Sequence, residues 1–214
     1  MKWLVGVLIP LFVMILGGCG DSSSSSYTYK SKGVIVGIAI DSATTELDEL
    51  NATLTEFGCT VVNYNDPTAE VVVSVENASA SVQAGIPYVQ ISDHGSDVIQ
   101  NSFVAIDANA SVQITLLASH PITTGVDQTW ATHGFWLYSY SNNFVGWGTS
   151  ATQVTLANVL TTDTSSNPVD QNGTLATDDT NTSVYIGWSA YGSRATLNDK
   201  KVLDNSIAFL TGRL

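Results

Sequence analysis

The sequence predicts a three-layer α/β domain built on a mostly parallel sheet with β-rich insertions. Three observations carry this. Near its start the chain alternates strand, helix and strand: "GVIVGIAID" (33–41), "SATTELDELNATLTEFG" (42–58) and "CTVVNYND" (59–66). The strand-like runs are apolar at nearly every residue rather than at alternate ones, as in parallel strands covered on both faces. The chain also closes on a strand-like "TSVYIGWSAYGS" (182–193) followed by a helical "LNDKKVLDNSIAFLTG" (197–212).

The elements follow in order. In the first helix Leu47, Leu50, Leu54 and Phe57 share one face, acidic residues fill the first turn and Gly58 supplies the stop. "AEVVVSVEN" (69–77) and "IPYVQIS" (86–92) read as the third and fourth strands, separated by a short helical or loop stretch. "FVAIDANASVQITLLA" (103–118) supplies one or two more, and "FWLYSY" and "TQVTLANVL" add further β structure. Residues 161–182 are almost wholly Thr, Ser, Asn, Asp and Gly, and "DQNGT" within them suits a hairpin turn. Asp170, Asn172 and Gly173 match only a fragment of a calcium loop, and calcium is not expected there. In the last helix Leu203, Ile207 and Leu210 form one stripe, and Gly212 follows it.

The N-terminus carries an address. "MKWLVGVLIPLFVMILGGC" has one lysine, an apolar run from Trp3 to Leu16, and small residues before Cys19, the pattern of a secretory signal. The run is too short for a transmembrane helix of about 20 residues. Leu16-Gly17-Gly18-Cys19 resembles the bacterial lipobox, which implies cleavage before Cys19 and acylation of its thiol. Gly20, rather than aspartate, follows, which in lipoproteins favours the outer membrane. The expected organisation is a signal peptide over 1–18, a Ser-rich tether over 19–32 and one α/β domain over 33–214, held to the membrane by lipid chains.

Charge excludes several partners. The 214 residues carry a net −12, and loss of residues 1–18 removes Lys2 and leaves −13. No lysine or arginine lies between Lys32 and Arg194. Nucleic acid, which needs clustered cations, is therefore not an expected partner, and neither is a nucleotide or sugar-phosphate. No cofactor is expected. With Cys19 acylated, Cys59 is the remaining cysteine, and at the head of an apolar strand it reads as a buried, inert thiol.

Three further segments resemble the class I glutamine amidotransferase-like fold, especially degenerate, flavodoxin-like branches related to the trehalose-utilisation proteins. They are the strand pair "AEVVVSVEN" and "GIPYVQIS", the turn "SHPITTG" (119–125), and "VYIGWSAYG" followed by "VLDNSIAFL". The likeness covers about residues 33–214. In active members of that family the nucleophile is a cysteine in a Gly-x-Cys-x-Gly elbow after the strand matching "IPYVQIS". Here the position falls on Ser92, flanked by Gln90 and His94, whose side chains suit a sharp elbow poorly. The family's His-x-Glu after the last strand has no counterpart in "GWSAYGS". The resemblance implies a degraded site.

The favoured reading is therefore a membrane-anchored, surface or periplasmic lipoprotein with a non-catalytic binding or interaction domain. The alternative is a hydrolase of unfamiliar geometry using Ser92 with His94 or His120. His120, before Pro121, more simply fixes its turn. His94, His120 and His133 with Asp93 lack metal-ligand spacing, and no metal is expected. The crowd of aromatics from Trp130 to Trp147 reads mainly as core, because alternation in "FWLYSY" sends half of them inward. If a ligand binds, the loops after the strands' carboxyl ends are the place. They hold Asp41, Ser42, Glu76, Asn77, residues 92–96 and 189–191, and Arg194 as the only cation. Asp41, Ser92, His94, Trp188 and Tyr191 are the expected contacts for a neutral carbohydrate or a polar protein surface.

Overall fold

Each strand of the domain's centre is apolar on both sides because both of its faces are covered. In the computed structural model, residues 27–40, 44–75, 85–91, 103–107, 112–132, 136–140, 145–146, 149–150, 153–160, 175–178 and 180–214 are described. Strand β1 (Ile35–Ile40) leads into helix α1 (Thr44–Glu56) and strand β2 (Thr60–Asn63), followed by β3 (Val71–Val75) and β4 (Tyr88–Ile91). Next come β5 (Phe103–Asp107), β6 (Val112–Leu116), a 3-10 turn (Pro121–Thr123), β7 (Thr129–Thr132) and β8 (Trp136–Tyr140). The chain ends with β9 (Val145–Gly146), β10 (Thr149–Ser150), β11 (Gln153–Leu160), β12 (Leu175–Asp178), β13 (Ser183–Ile186) and α2 (Leu197–Leu210).

Among the described residues one sheet has nine strands in the order β2-β1-β3-β4-β13-β12-β11-β6-β7. The first five are mutually parallel, in the order of a flavodoxin-like sheet, and β12, β11, β6 and β7 continue it antiparallel. β5 pairs with β8 and β9 with β10 in separate two-stranded ribbons. The sequence reading missed β7, β9, β10 and β12. Leu175–Asp178 sits inside the polar stretch 161–182 and is nonetheless a central strand whose Leu175, Ala176 and Thr177 are buried.

Helices α1 and α2 lie on the same face. Leu50, Leu54 and Phe57 of α1 share one core with Val202, Leu203, Ile207 and Leu210 of α2, over Val71, Val73, Val75, Val89, Ile91, Val184 and Ile186. The helical spacing read from the sequence is the spacing that is buried, apart from Leu47, which is 38% exposed at the first turn of α1. Burial of such side chains contributes roughly 1.5–3 kcal/mol each. The opposite face of the parallel half is buried too: Val72, Ser74, Tyr88, Gln90 and Tyr185 are all below a tenth exposed. On that face Gly37 is required, since a Cβ there would stand 3.0 Å from the Tyr64 backbone and 3.3 Å from Val72.

The domain begins earlier than the expected boundary at Gly33. Residues 27–33 form a strap along α2. Tyr29 stacks on Phe57 at a centroid distance of 4.6 Å, and Ser31 is fully buried. The strap is held by Asp204, whose carboxylate accepts from the backbone N–H of Lys30 (2.9 Å) and Ser31 (2.9 Å), from Ser31 Oγ (2.5 Å) and from the Tyr27 hydroxyl (2.8 Å). Burial, then the Asp204 charge and hydrogen bond, push the Tyr27 phenol far above its ordinary value. The apolar segment 3–16, Cys19 and the residues of the "DQNGT" turn lie outside the described residues.

Candidate functional site

The four central parallel strands end level with one another. Ile40 of β1 pairs with Val75 of β3, Val75 with Ile91 of β4, and Ile91 with Ile186 of β13. The next residues along the chain are Asp41, Glu76, Ser92 and Gly187. The β1/β3 boundary is also where connections diverge to β2 on one side and β4 on the other, the switch point at which open α/β sheets bind ligands. Topology therefore gathers the expected contacts at one edge. Asp41, Ser92, Asp93, His94 and His133 themselves lie outside the described residues, and so do Glu76 and Asn77.

The part of this edge after β13 is described, and it differs from expectation. Trp188 is fully buried and Tyr191 is 2% exposed, so neither ring is presented for a ligand to stack on. Trp188 is held inward by Asp199, itself fully buried at the start of α2. Its Oδ1 accepts from the indole N–H of Trp188 (2.9 Å) and from that of Trp130 on β7 (2.8 Å). Its Oδ2 accepts from the backbone N–H of Thr196 (2.8 Å) and from Thr196 Oγ1 (2.7 Å), closing a capping box that starts α2. The two indoles meet edge to face at 5.9 Å. Four donors saturate a carboxylate, so Asp199 has no lone pair left for a substrate. Burial raises its pKa above the usual carboxylate value, and the bonds from Trp130 and Thr196 pull it part of the way back.

The same loop is pinned to α1. Gly192 N–H donates to Thr53 Oγ1 (3.0 Å) and Ser193 Oγ to Glu49 (3.2 Å). Gly192 has φ +82°, a backbone conformation that favours glycine at this turn. Ser189 and Arg194 remain as polar groups of this loop, half-buried and exposed respectively.

His120 lies away from this edge, in the turn read from "SHPITTG". Its Nδ1 accepts from the Ile122 N–H (3.3 Å), its own N–H donates to Thr123 Oγ1 (3.0 Å), and its ring packs edge-on against Phe209 of α2 at 4.9 Å. Asn205 holds the turn from below, donating to the carbonyls of Ile122 and Thr124 at 2.9 Å each. This is the turn-fixing role expected from the sequence. Cys59 is half-buried, with its thiol 3.4 Å from the Ser31 carbonyl, and burial pushes its pKa up, which fits an inert thiol.

The residue that sequence reasoning missed is Asp199. Thr196-Leu-Asn-Asp199 before an apolar run was a legible capping box. Nothing local indicated that two tryptophans, one of them 69 positions away, would converge on it.

No known protein family's model matches the chain, and no curated protein matches it in sequence. Solved structures do. A GMP synthase component from Thermoplasma acidophilum aligns over 84% of this chain and 95% of its own, with TM-score 0.55 and 10% identity. A ThuA-like protein from Bacteroides uniformis aligns over 89% and 95%, with TM-score 0.53 and 7% identity. PurLQS from Thermotoga maritima aligns over 84% of this chain and 99% of that chain, with TM-score 0.51 and 11% identity. At these identities the likeness speaks for the fold alone: the chain has the α/β, flavodoxin-like fold of the glutamine amidotransferase-like proteins.

Proposed function

We propose that this is a lipid-anchored protein of the bacterial cell envelope, acylated on Cys19, whose glutamine amidotransferase-like domain binds a partner rather than turning over a substrate. The observation that carries the non-catalytic reading is the end of β13. There the resemblance would require His-x-Glu, and the chain instead has Gly187-Trp188-Ser189-Ala190-Tyr191, with Trp188, Ala190 and Tyr191 buried. No imidazole or carboxylate in that segment is available to activate a nucleophile following β4. His120, the other candidate base, has Nδ1 committed to its own turn.

The anchor rests on the signal-like segment before Leu16-Gly17-Gly18-Cys19, and Gly20 favours the outer membrane. The partner class is a neutral carbohydrate or a polar protein surface at the carboxyl edge, where Asp41, Ser92 and His94 follow level strand ends and Arg194 is the one nearby cation in the sequence.

The test pairs two variants. Cys19→Ser is expected to move the protein out of the membrane fraction or leave it unprocessed, and an unchanged mass and fractionation would refute the anchor. Hydrolysis of an ester or amide substrate that vanishes in Ser92→Ala, with folding intact, would overturn the non-catalytic reading. Titrating neutral glycans against amide shifts tests the edge: shifts in the residues after β1, β3 and β4, weakened in Asp41→Ala, are expected.

A further inference from the structure

The cations of this acidic chain are not spread over it. Its seven lysines and arginines are Lys2, Lys30, Lys32, Arg194, Lys200, Lys201 and Arg213. Five of them gather around the strap. Lys30 and Lys32 belong to it. Arg213 donates to the Lys32 carbonyl at 2.9 Å. Lys201 Nζ stands 5.5 Å from the Tyr27 ring centroid and donates to the Gly125 carbonyl at 2.7 Å. Lys200 pairs at 2.6 Å with Glu56, which also accepts from the Tyr29 hydroxyl. Three carboxylates meet this group: Glu56, Glu70 (3.2 Å from Arg213) and the buried Asp204. Among the described residues neither Lys30 nor Lys32 has an ion-pair partner. The strap region is thus net positive in a protein that is otherwise strongly negative.

The strap is also where the chain leaves the domain. Seven residues, 20–26, separate Cys19 from Tyr27, and seven residues fully extended reach at most about 25 Å. The strap leads directly into β1 at its last residues, while Tyr27, its first, lies beside Lys201, Asp204 and Asn205 of α2.

We infer that the strap and the cations around it, Lys30, Lys32, Lys200, Lys201 and Arg213, dock on the anionic lipid headgroups of the membrane that holds the anchor. This rests on the anchoring reading above. A short tether keeps the patch near the bilayer, and clustered Lys and Arg next to anionic headgroups gain about fivefold in binding each, within a screening length of about 8–10 Å. Lys200 and Arg213 contribute less than this because Glu56 and Glu70 already hold them.

The test uses the protein as the cell processes it, reconstituted into vesicles of phosphatidylcholine alone or mixed with phosphatidylglycerol, with an amine-acylating reagent as probe. Labelling of Lys30, Lys32 and Lys201, read by mass spectrometry, is expected to fall about fivefold in the anionic vesicles and to recover at about 1 M salt, where screening shortens to about 3 Å. Lys30→Gln with Lys32→Gln should abolish the protection of Lys201. Equal labelling in both vesicle types would overturn the docking surface. The intact mass of the same sample reports whether Cys19 is acylated. If it is not, the anchor fails while the patch stays testable: co-sedimentation with anionic vesicles only, lost in the double variant, supports it, and no co-sedimentation overturns it.

Discussion

Asp199 and Asp204 stand five residues apart on α2, both fully buried and, among the described residues, neither with an ion-pair partner, yet they hold different parts of the fold. Among the described residues Asp204 accepts from the N-terminal strap, more than 170 residues away in sequence. Asp199 accepts from its own helix cap, from β7 and from the loop after β13. One closes the amino edge and the other fixes the carboxyl-edge loop. What the pair teaches is that a buried carboxylate is kept by hydrogen bonds as well as by counter-charge, and that its effect depends on what its donors belong to.

The largest effect is expected at Asp204. Asp204→Ala strands the Lys30 and Ser31 amides and the Ser31 hydroxyl in a site where Ser31 is fully buried. The expected loss is about 3–4 kcal/mol in urea unfolding, and Asp204→Asn, which keeps one acceptor, should lose about half as much. The change should also be directional. Cys59 sits under the strap beside Ser31, so its alkylation should accelerate in Asp204→Ala and stay slow in any Asp199 variant. Equal acceleration in both would mean that the two carboxylates do not divide the molecule as described.

This division was only half legible in the sequence. Val71–Val75 announces a doubly covered strand because no residue in it is charged, and the spacing of Leu203, Ile207 and Leu210 announces the buried face of α2. The helix stops were legible at Gly58 and Gly212, which adopt φ +81° and +67°. Asp204 was not legible as a core residue, because on a helix map it resembles any polar-face acid, and only the docking of a distant strap buries it. β12 was hidden because its polar surroundings in sequence carry no strand signal, and only its pairing between β11 and β13 sets it in the sheet. Trp188 and Tyr191 looked like an offered surface since they follow a strand end, yet both are buried, Trp188 by its bond to Asp199 at the start of the next helix. The expected ligand contacts Asp41, Ser92 and His94 lie outside the described residues.

A smaller effect is expected at Asp199, and pH sharpens it. Asp199→Asn keeps the shape and one acceptor but turns an amide N–H₂ towards donors, for a loss of about 1–2 kcal/mol near neutrality. Burial raises the folded pKa of Asp199 above its ordinary 3.8. The folded state therefore holds the proton longer than the unfolded chain, and the stability linked to this group is full below 3.8 and is lost as pH rises through the raised value. The stability gap between the native protein and Asp199→Asn should accordingly narrow as pH climbs from below 3.8 through the upper carboxylate range. Denaturant midpoints across that range read the gap, and Trp130 and Trp188 fluorescence reports the site directly. A gap that widens instead would mean that the four donors outweigh burial and hold the pKa down.

The smallest effect is expected at His120, which does with a neutral ring what the two aspartates do with charge. Its Nδ1 accepts from the Ile122 N–H, so the turn needs that nitrogen unprotonated. Burial lowers the imidazole pKa below its ordinary 6.5. The unfolded chain then takes up the proton first, so the stability linked to His120 is full above 6.5 and is lost as pH falls below it, the reverse of Asp199. His120→Asn supplies an uncharged side-chain oxygen at the same cap and should keep the cap bond across this pH range. Its urea midpoint should also decline less than that of the native protein between about pH 7 and about pH 5. The ring's edge contact with Phe209 is lost in the variant at every pH, so it shifts the whole curve without altering its slope. A slope identical in the two proteins would mean that the folded turn accepts a protonated His120, and that the cap bond to Ile122 does not hold the segment onto α2.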